Sequence, residues 1–356
     1  MKLSALLHKE QNNLDLFRLV AACMVIYGHA YAIAPQSGHS DIVARWLGHD
    51  YSGSLAVKIF FFLSGLVVAN SLLEKRRWLE FVIARAFRIW PGLLLVTVAS
   101  AFLLGPWVSE HSPREYFSNL QTYRYVWNNI FLKTTYDLPG VFSALPHKVA
   151  VNGSLWTLPH EVGAYLVLLA LFLAGVFRSS VLLLLVFVLF LLDPASGNKL
   201  LFTWRPVHPE LDLLAPCFAL GVLFAVFKHH LDVTTGTVAG LLLLYVLFRS
   251  SAYAYYLFYL ALFSLILWLS IQPWMLRLKP GVDMSYGVYL WGFPVQQTMV
   301  HLFPDNGIRF NQGTSLILSI CLGWLSWHLV EKRGIALGQR LIRQTRVLLG
   351  REDPRI

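Results

Sequence analysis

The chain has 356 residues, 56% of them hydrophobic and only 13% charged, with a mean hydropathy of +0.57. That balance excludes a soluble enzyme of this length and describes a polytopic membrane protein. The formal net charge of +10 reads as topology plus attraction to anionic lipid, and argues against nucleic acid as a partner.

Crossing a hydrocarbon core of about 30 Å takes roughly 20 residues per helix. Candidate spans lie near 14–34, 55–73, 88–108, 154–176, 180–194, 211–228, 234–249, 252–271, 284–303 and 313–330, the fifth being short. An even count puts both termini on one side. With the N-terminus inside, inner segments carry Lys2, Lys9, Lys75, Arg76, Arg77, Arg85, Arg88, Arg178, Lys228, Arg277, Lys279 and the cations after Val330, while the outer loops hold fewer. The predicted architecture is therefore all-α: about ten transmembrane helices in one domain over residues 1–356, with both termini cytoplasmic. The tail from about 331 to 356 alternates Leu, Ile and Val with Arg and reads as a basic amphipathic helix anchored on the inner surface. A rival reading of the first span is a cleavable leader ending near Ala30-Tyr31-Ala32, but cleavage would discard His29, the most unusual residue of the segment. Cys23, Cys217 and Cys321 fall within predicted helices and suggest apolar packing rather than disulfides.

The first span, LDLFRLVAACMVIYGHAYAI, contains Asp15, Arg18 and His29. Eleven residues at about 100° each return the helix to within roughly 20° of its starting direction, so Arg18 and His29 share a face at depths roughly 16 Å apart. Turned to lipid, each charged group would cost about 2.5–3.5 kcal/mol, so the stripe is expected to look into a polar interior. Between the second and third spans, FVIARAFRIWPG sets Arg85 and Arg88 one turn apart in a predicted inner loop, beside Lys75, Arg76 and Arg77. Such a cluster either clamps phosphate, which guanidinium pairs bidentately, or is ordinary positive-inside charge.

In IFFFLSGLVVANS, Ser64-Gly65 permits close helix approach; Ser64 lacks the GxSxG context of a nucleophile. The fourth span opens with NGSLWTLPHEVGAYL, which places the intramembrane carboxylate Glu161 beside His160, with Trp156 and Tyr165 at −5 and +4. Glu161 is either a functional group or one half of a buried structural pair. Pro159 is tolerated in the first turn. The outer loop 109–153 is rich in aromatics, and its Tyr116, Tyr123, Tyr125 and Trp127 either stack on sugar rings or sit at the membrane interface. No HExxH, zinc-spaced Cys/His set, Walker A or GxGxxG pattern is present, so no metal site is expected and ATP-driven transport is disfavoured.

In order along the chain, Arg18 and His29 with ten residues between them after Leu14-Asp15, FFFLSG at 60–65, Arg85-x-x-Arg88, SLWTLPHEVGAY at 154–165, SYGVYLWGFPV at 285–295 and WHLVEKR at 327–333 resemble the motifs of the membrane acyltransferase-3 family of bacterial integral O-acyltransferases. The resemblance puts Trp156, Glu161, Tyr165 and Tyr286 on matching positions. Two departures stand out: Gly292 where many relatives carry His, and Pro159-His160, of which His160 is a candidate to compensate. The fused extracytoplasmic domain of many relatives is not part of this sequence.

The resemblance implies transfer of an acyl group, usually acetyl, from acetyl-CoA at the cytoplasmic side of a bacterial inner membrane to a hydroxyl of an envelope polysaccharide or glycolipid. In that scheme Arg18, Arg85 and Arg88 hold the nucleotide phosphates and His29 is the general base. Glu161 orients it or acts as a second base, and Asp15 pairs with Arg18. The expected partners are acyl-CoA, an extracytoplasmic glycan or glycolipid, and membrane lipid. The rival class is a secondary transporter or flippase for a polar or lipid-linked glycan, which would use the same polar face as a path.

Overall fold

A computed structural model describes residues 1–192, 213–251 and 253–348. Among them the chain is helical, with two isolated β-bridges, Lys2 with Asp232 and Ser109 with Val141, and no strands. The principal helices are α1 (Leu14–Ile33), α2 (Ser52–Lys75), α3 (Trp78–Ala99), α4 (Thr157–Leu173), α5 (Ser180–Leu192), α6 (Leu214–Val226), α7 (Thr235–Leu247), α8 (Ala254–Ser270), α9 (Ser285–Leu302), α10 (Ile308–Ser326) and α11 (Lys332–Leu348). Among the described residues five helical runs are long and apolar enough to cross a membrane, Leu14–Ile33, Ser52–Lys75 and Trp78–Val108 among them, and α5 to α8 supply shorter apolar helices. The chain is an all-α membrane protein. The ends of the spans expected at 180–194, 211–228 and 252–271 reach residues outside those described, as do the outer-loop cations Lys199 and Arg205 and the tail beyond 348.

Three sequence expectations change. The inner loop thought to hold Arg85 and Arg88 shrinks to Arg76 and Arg77, because α3 begins at Trp78, ten residues before the apolar run. A span may start with charged turns because helix formation needs satisfied backbone groups, not apolar side chains, once it leaves the hydrocarbon. The outer loop 109–153 contains two short helices, Pro113–Ser118 and Leu120–Ile130, the first opened by a capping box between Ser112 and Glu115 with Pro113 following. The tail does not stand apart: a π-turn over Trp327–Glu331 carries α10 into α11, which lies along α3. A Cβ on Gly334 would come within 2.6 Å of Pro91 and one on Gly338 within 2.8 Å of Phe87, and Arg346 forks onto both carboxylate oxygens of Glu80 at 2.8 and 2.7 Å.

The chain divides into two compact units. The first comprises Met1–Ala21, Ser54–Arg76 and Glu161–Gly281; the second Ala22–Gly53, Arg77–His160 and Val282–Ile356. In the first, α2 and α6 meet at glycines: a Cβ on Gly65 would lie 2.2 Å from the Phe218 carbonyl and one on Gly221 2.2 Å from that of Phe62, so both positions need glycine for the backbone approach. Phe62 stacks on Phe263 at 4.1 Å beside that crossing. Asn13 caps α1, its Oδ1 accepting from the Leu16 amide at 3.3 Å, and its Nδ2 donates to the Met275 carbonyl at 2.6 Å, fixing where the first span begins.

In the second unit, α9 and α10 pack closely at Gly287 and Gly323, and Asn152 donates to the Leu290 carbonyl at 3.0 Å. The outer loop folds onto this unit through a buried cluster that includes Ile33, Tyr116, Tyr125, Phe142, Val151 and Phe293. Neither expectation for the loop aromatics holds at Tyr116 and Tyr125, which are fully buried core residues whose hydroxyl pKa values burial raises, that of Tyr116 to about 12, whereas Tyr123 and Trp127 stay 46% and 65% exposed.

Candidate active site

α1 carries the polar stripe read from the sequence. Its Asp15 and Arg18 belong to the first unit and its His29 to the second, and all three are partly buried. Asp15 lies 3.9 Å from Lys9, which reaches it from the short turn Lys9–Gln11 preceding the helix. With Lys9 78% exposed at the side chain, this contact is weak.

Within the first unit, Ser64, Tyr165 and Glu161 form a chain of hydrogen bonds. Tyr165 donates its hydroxyl to Glu161 Oε1 at 2.5 Å, and because that hydrogen is then used, Ser64 Oγ, 2.6 Å from the same phenol oxygen, is the donor to it. Glu161 and Tyr165 sit four residues apart on one face of α4, so the first link is dictated by helical spacing. The second brings in α2 from 101 positions away in the sequence. Tyr165 is 6% exposed and its ring lies against Phe218 at 6.2 Å, which holds the phenol in place between its two partners.

In the second unit, the His29 ring meets Phe293 edge-on, centroids 5.5 Å apart at 75°, and Nδ1 is enclosed without a hydrogen-bond partner among the described residues. A second imidazole, His147 from the outer loop, stands edge-on to the same Phe293 ring at 5.5 Å and 71°. Burial lowers the pKa of His147, so its neutral form is favoured. His147 lies in a long loop outside every motif, and nothing local in the sequence announces it. Gly292, where relatives carry histidine, is a packing position: a Cβ there would come within 2.7 Å of Ile26 Cγ1. His160 turns its Nδ1 to the Trp156 carbonyl at 2.9 Å, and its ring lies 5.7 Å from the Trp156 indole.

At the other end of that unit, Arg88 is held by residues from α9 and the π-turn. Nη2 donates to Asp283 Oδ2 at 2.8 Å, Nη1 lies 3.8 Å from Glu331 Oε2, and the guanidinium sits over the rings of Tyr286 at 5.9 Å and Trp327 at 5.6 Å. Glu331 is itself fixed by Ser326 Oγ, which donates to its Oε1 at 2.7 Å, and Tyr286 donates its hydroxyl to the Ile89 carbonyl at 2.9 Å. The π-turn explains the geometry: one extra residue per turn rotates Glu331 inward from a helix that otherwise continues. Arg85, one turn earlier on α3, is partly buried.

Stacked apolar helices with a buried imidazole and an intramembrane carboxylate chain define a membrane protein built to handle polar groups inside its fold. The model of the acyltransferase domain matches residues 11–328, and the chain belongs to that family. It is 33% identical over 345 residues to an O-acetyl transferase of Shigella phage Sf6, covering 92% of this chain and 96% of the relative. It is also 25% identical to nodulation protein 10 of Rhizobium leguminosarum bv. viciae, over 93% of this chain and 95% of that protein. No solved structure matches. Membership selects acyl transfer over the transport alternative, and the protein is an acyltransferase.

Proposed function

We propose that this protein O-acetylates an envelope polysaccharide or glycolipid at a bacterial inner membrane, drawing acetyl-CoA from the cytoplasmic side, with His29 as general base. The observation that carries the reading is the His29 imidazole, set on α1 edge-on to Phe293 with Nδ1 enclosed and without a hydrogen-bond partner among the described residues. Family membership supplies the reaction class, and the O-acetyl transferase activity of the phage relative suggests the acetyl group. In the step, an acceptor hydroxyl oxygen bonds to the thioester carbonyl carbon as the imidazole takes its proton. The C–S bond then breaks, and the imidazolium returns the proton to the leaving thiolate, giving the ester and free coenzyme A. His147, on the other edge of Phe293, is a positioning residue for that ring.

The Ser64–Tyr165–Glu161 chain is the second element of the proposal. A carboxylate already bonded by a phenol holds a fixed charge that orients hydroxyl protons along the chain, and we assign it to acceptor handling. Arg18 and Arg85 are the cations we assign to the donor phosphates. The pairing of Arg88 with Asp283 and Glu331 supports a different part for it, that of holding the ends of α3, α9 and the π-turn in register.

Purified full-length protein in lipid nanodiscs, given labelled acetyl-CoA and envelope glycan, tests the reading. Mass spectrometry should find one acetyl increment on the glycan with the wild type and none above background with His29→Gln. Near-normal acetylation by His29→Gln would remove the base assignment; glycan movement without consumption of acetyl-CoA would remove acyl transfer itself.

A further inference from the structure

Three helix ends of the first unit converge on a cavity that the acyl-transfer reading does not use. It has a volume of about 450 Å3 and lies where α2, α4 and α6 finish. Its rim is cationic: Arg76 follows the last residue of α2, Arg178 closes the turn after α4, and Lys228 follows α6. Against these three cations stands one carboxylate, Glu74, which accepts from Lys228 Nζ at 2.5 Å while Asn70 takes a second bond from the same ammonium at 2.7 Å. Lys228 is thus committed to protein partners, whereas Arg76 and Arg178 are exposed.

The backbone aims those two arginines. Arg76 has φ +51, a left-handed conformation uncommon for any residue with a side chain, and its amide closes α2 on the Leu72 carbonyl at 2.8 Å. Gly175, also left-handed at φ +76, turns the chain after α4 so that Arg178 Cδ lies 3.7 Å from where a Cβ on Gly175 would be. The cavity wall below the rim is apolar, formed by Leu73, Phe172 and Phe177, and continues onto Leu173, which is 60% exposed on the face of a span. Cations at helix ends beside an apolar wall match the two halves of one amphiphile.

We propose that this cavity binds the headgroup phosphate of an anionic membrane phospholipid, with Arg76 and Arg178 as its phosphate ligands and Phe172 and Leu173 along the acyl chain. We favour lipid over a soluble nucleotide because the apolar residues of the wall, Leu73, Phe172 and Phe177, adjoin Leu173, which is 60% exposed on an apolar span. The inference rests on the membrane reading of the chain and is independent of the catalytic assignment.

Native mass spectrometry of the full-length protein in mild detergent tests it, with phosphatidylglycerol, phosphatidylcholine of the same chains, and coenzyme A added as separate probes. Phosphatidylglycerol should bind in preference to phosphatidylcholine. Its affinity should fall roughly fivefold in Arg178→Ala and roughly thirtyfold in the Arg76→Ala/Arg178→Ala double variant, at about one lipid-facing charge per step. Lysine at both positions should keep most of the binding, and raising salt should weaken binding to the wild type, so the test stands even where the alanine variant folds poorly. Equal retention of the two lipids, or phosphatidylglycerol affinity unchanged in the double variant, would overturn the proposal. Coenzyme A affinity that drops with the arginines while lipid affinity holds would overturn it in favour of a nucleotide site.

Discussion

Arg88 and His29 are both polar groups set among apolar helices of the second unit, and the protein treats them in opposite ways. Arg88 faces two carboxylates and two aromatic rings, with its side chain 14% exposed. His29 has an aromatic edge on one side and an enclosed nitrogen with no partner among the described residues. A buried charge left without partners costs several kcal/mol, and Arg88 has two carboxylates within 4 Å, although its Nη1 has only the 3.8 Å ion pair with Glu331 and no hydrogen bond among the described residues. A buried nitrogen left unsatisfied costs about 1–3 kcal/mol, and a fold that tolerates this is keeping the group for something else. We propose that the difference marks Arg88 as a structural group and His29 as a chemical one, although both stand out equally in the sequence.

The largest effect should come from the chemical member of the pair. His29→Gln is expected to lower acetylation by about 100- to 10,000-fold, the usual worth of a positioned general base, with the thermal unfolding midpoint within a few degrees of wild type. A variant that keeps activity but loses stability would reverse the comparison. Arg88→Ala should do the opposite, destabilising by about 3–5 kcal/mol because Asp283 and Glu331 lose their common cation. Removing the opposing charges together, in Arg88→Met/Asp283→Asn/Glu331→Gln, should recover part of that loss, as read by thermal unfolding in detergent. If the triple variant is no better than Arg88→Ala, charge balance is not what holds these ends.

The first unit provides the intermediate case. Tyr165→Phe removes both links of the chain to Glu161 and Ser64 at once, and should cost about tenfold in acetylation, with Ser64→Ala close behind. Equal rates for wild type and Tyr165→Phe would demote the chain to a structural pair, the alternative the sequence left open for Glu161.

How far each of these groups was legible depends on how local its partners are. Glu161 and Tyr165 share a helix face at a spacing of four, so their contact is readable from SLWTLPHEVGAY. Ser64 joins them from 101 residues away, and nothing local announces it. Arg88 looked like half of a phosphate clamp because its i, i+3 neighbour Arg85 was visible, while Asp283 lies 195 positions further on and Glu331 is turned inward only by a π-turn. The apolar runs located the helices well, since burial in lipid writes itself into composition. Their charged ends were misplaced, since a helix in water needs no such composition. Tyr116 and Tyr125 show the same gap in the loop: a core formed from residues between spans leaves no periodicity to read.

The smallest and most specific test concerns His147, which shares Phe293 with His29. Burial holds its pKa below the ordinary histidine range, so the unfolded chain binds a proton there at a pH where the folded chain does not. Its contribution is therefore neutral above the unfolded value, about 6.5, and becomes a loss of stability as pH falls below it toward the folded value. Between pH 7.5 and 5.5 the wild type should lose more of its unfolding midpoint than His147→Gln does, by a few degrees. Because the same ring edge positions Phe293 against His29, His147→Gln should also lower the acetylation rate without raising the KM for acetyl-CoA. An unchanged rate together with an unchanged pH slope would leave His29 acting on Phe293 alone, and would confine the chemistry of the second unit to a single imidazole.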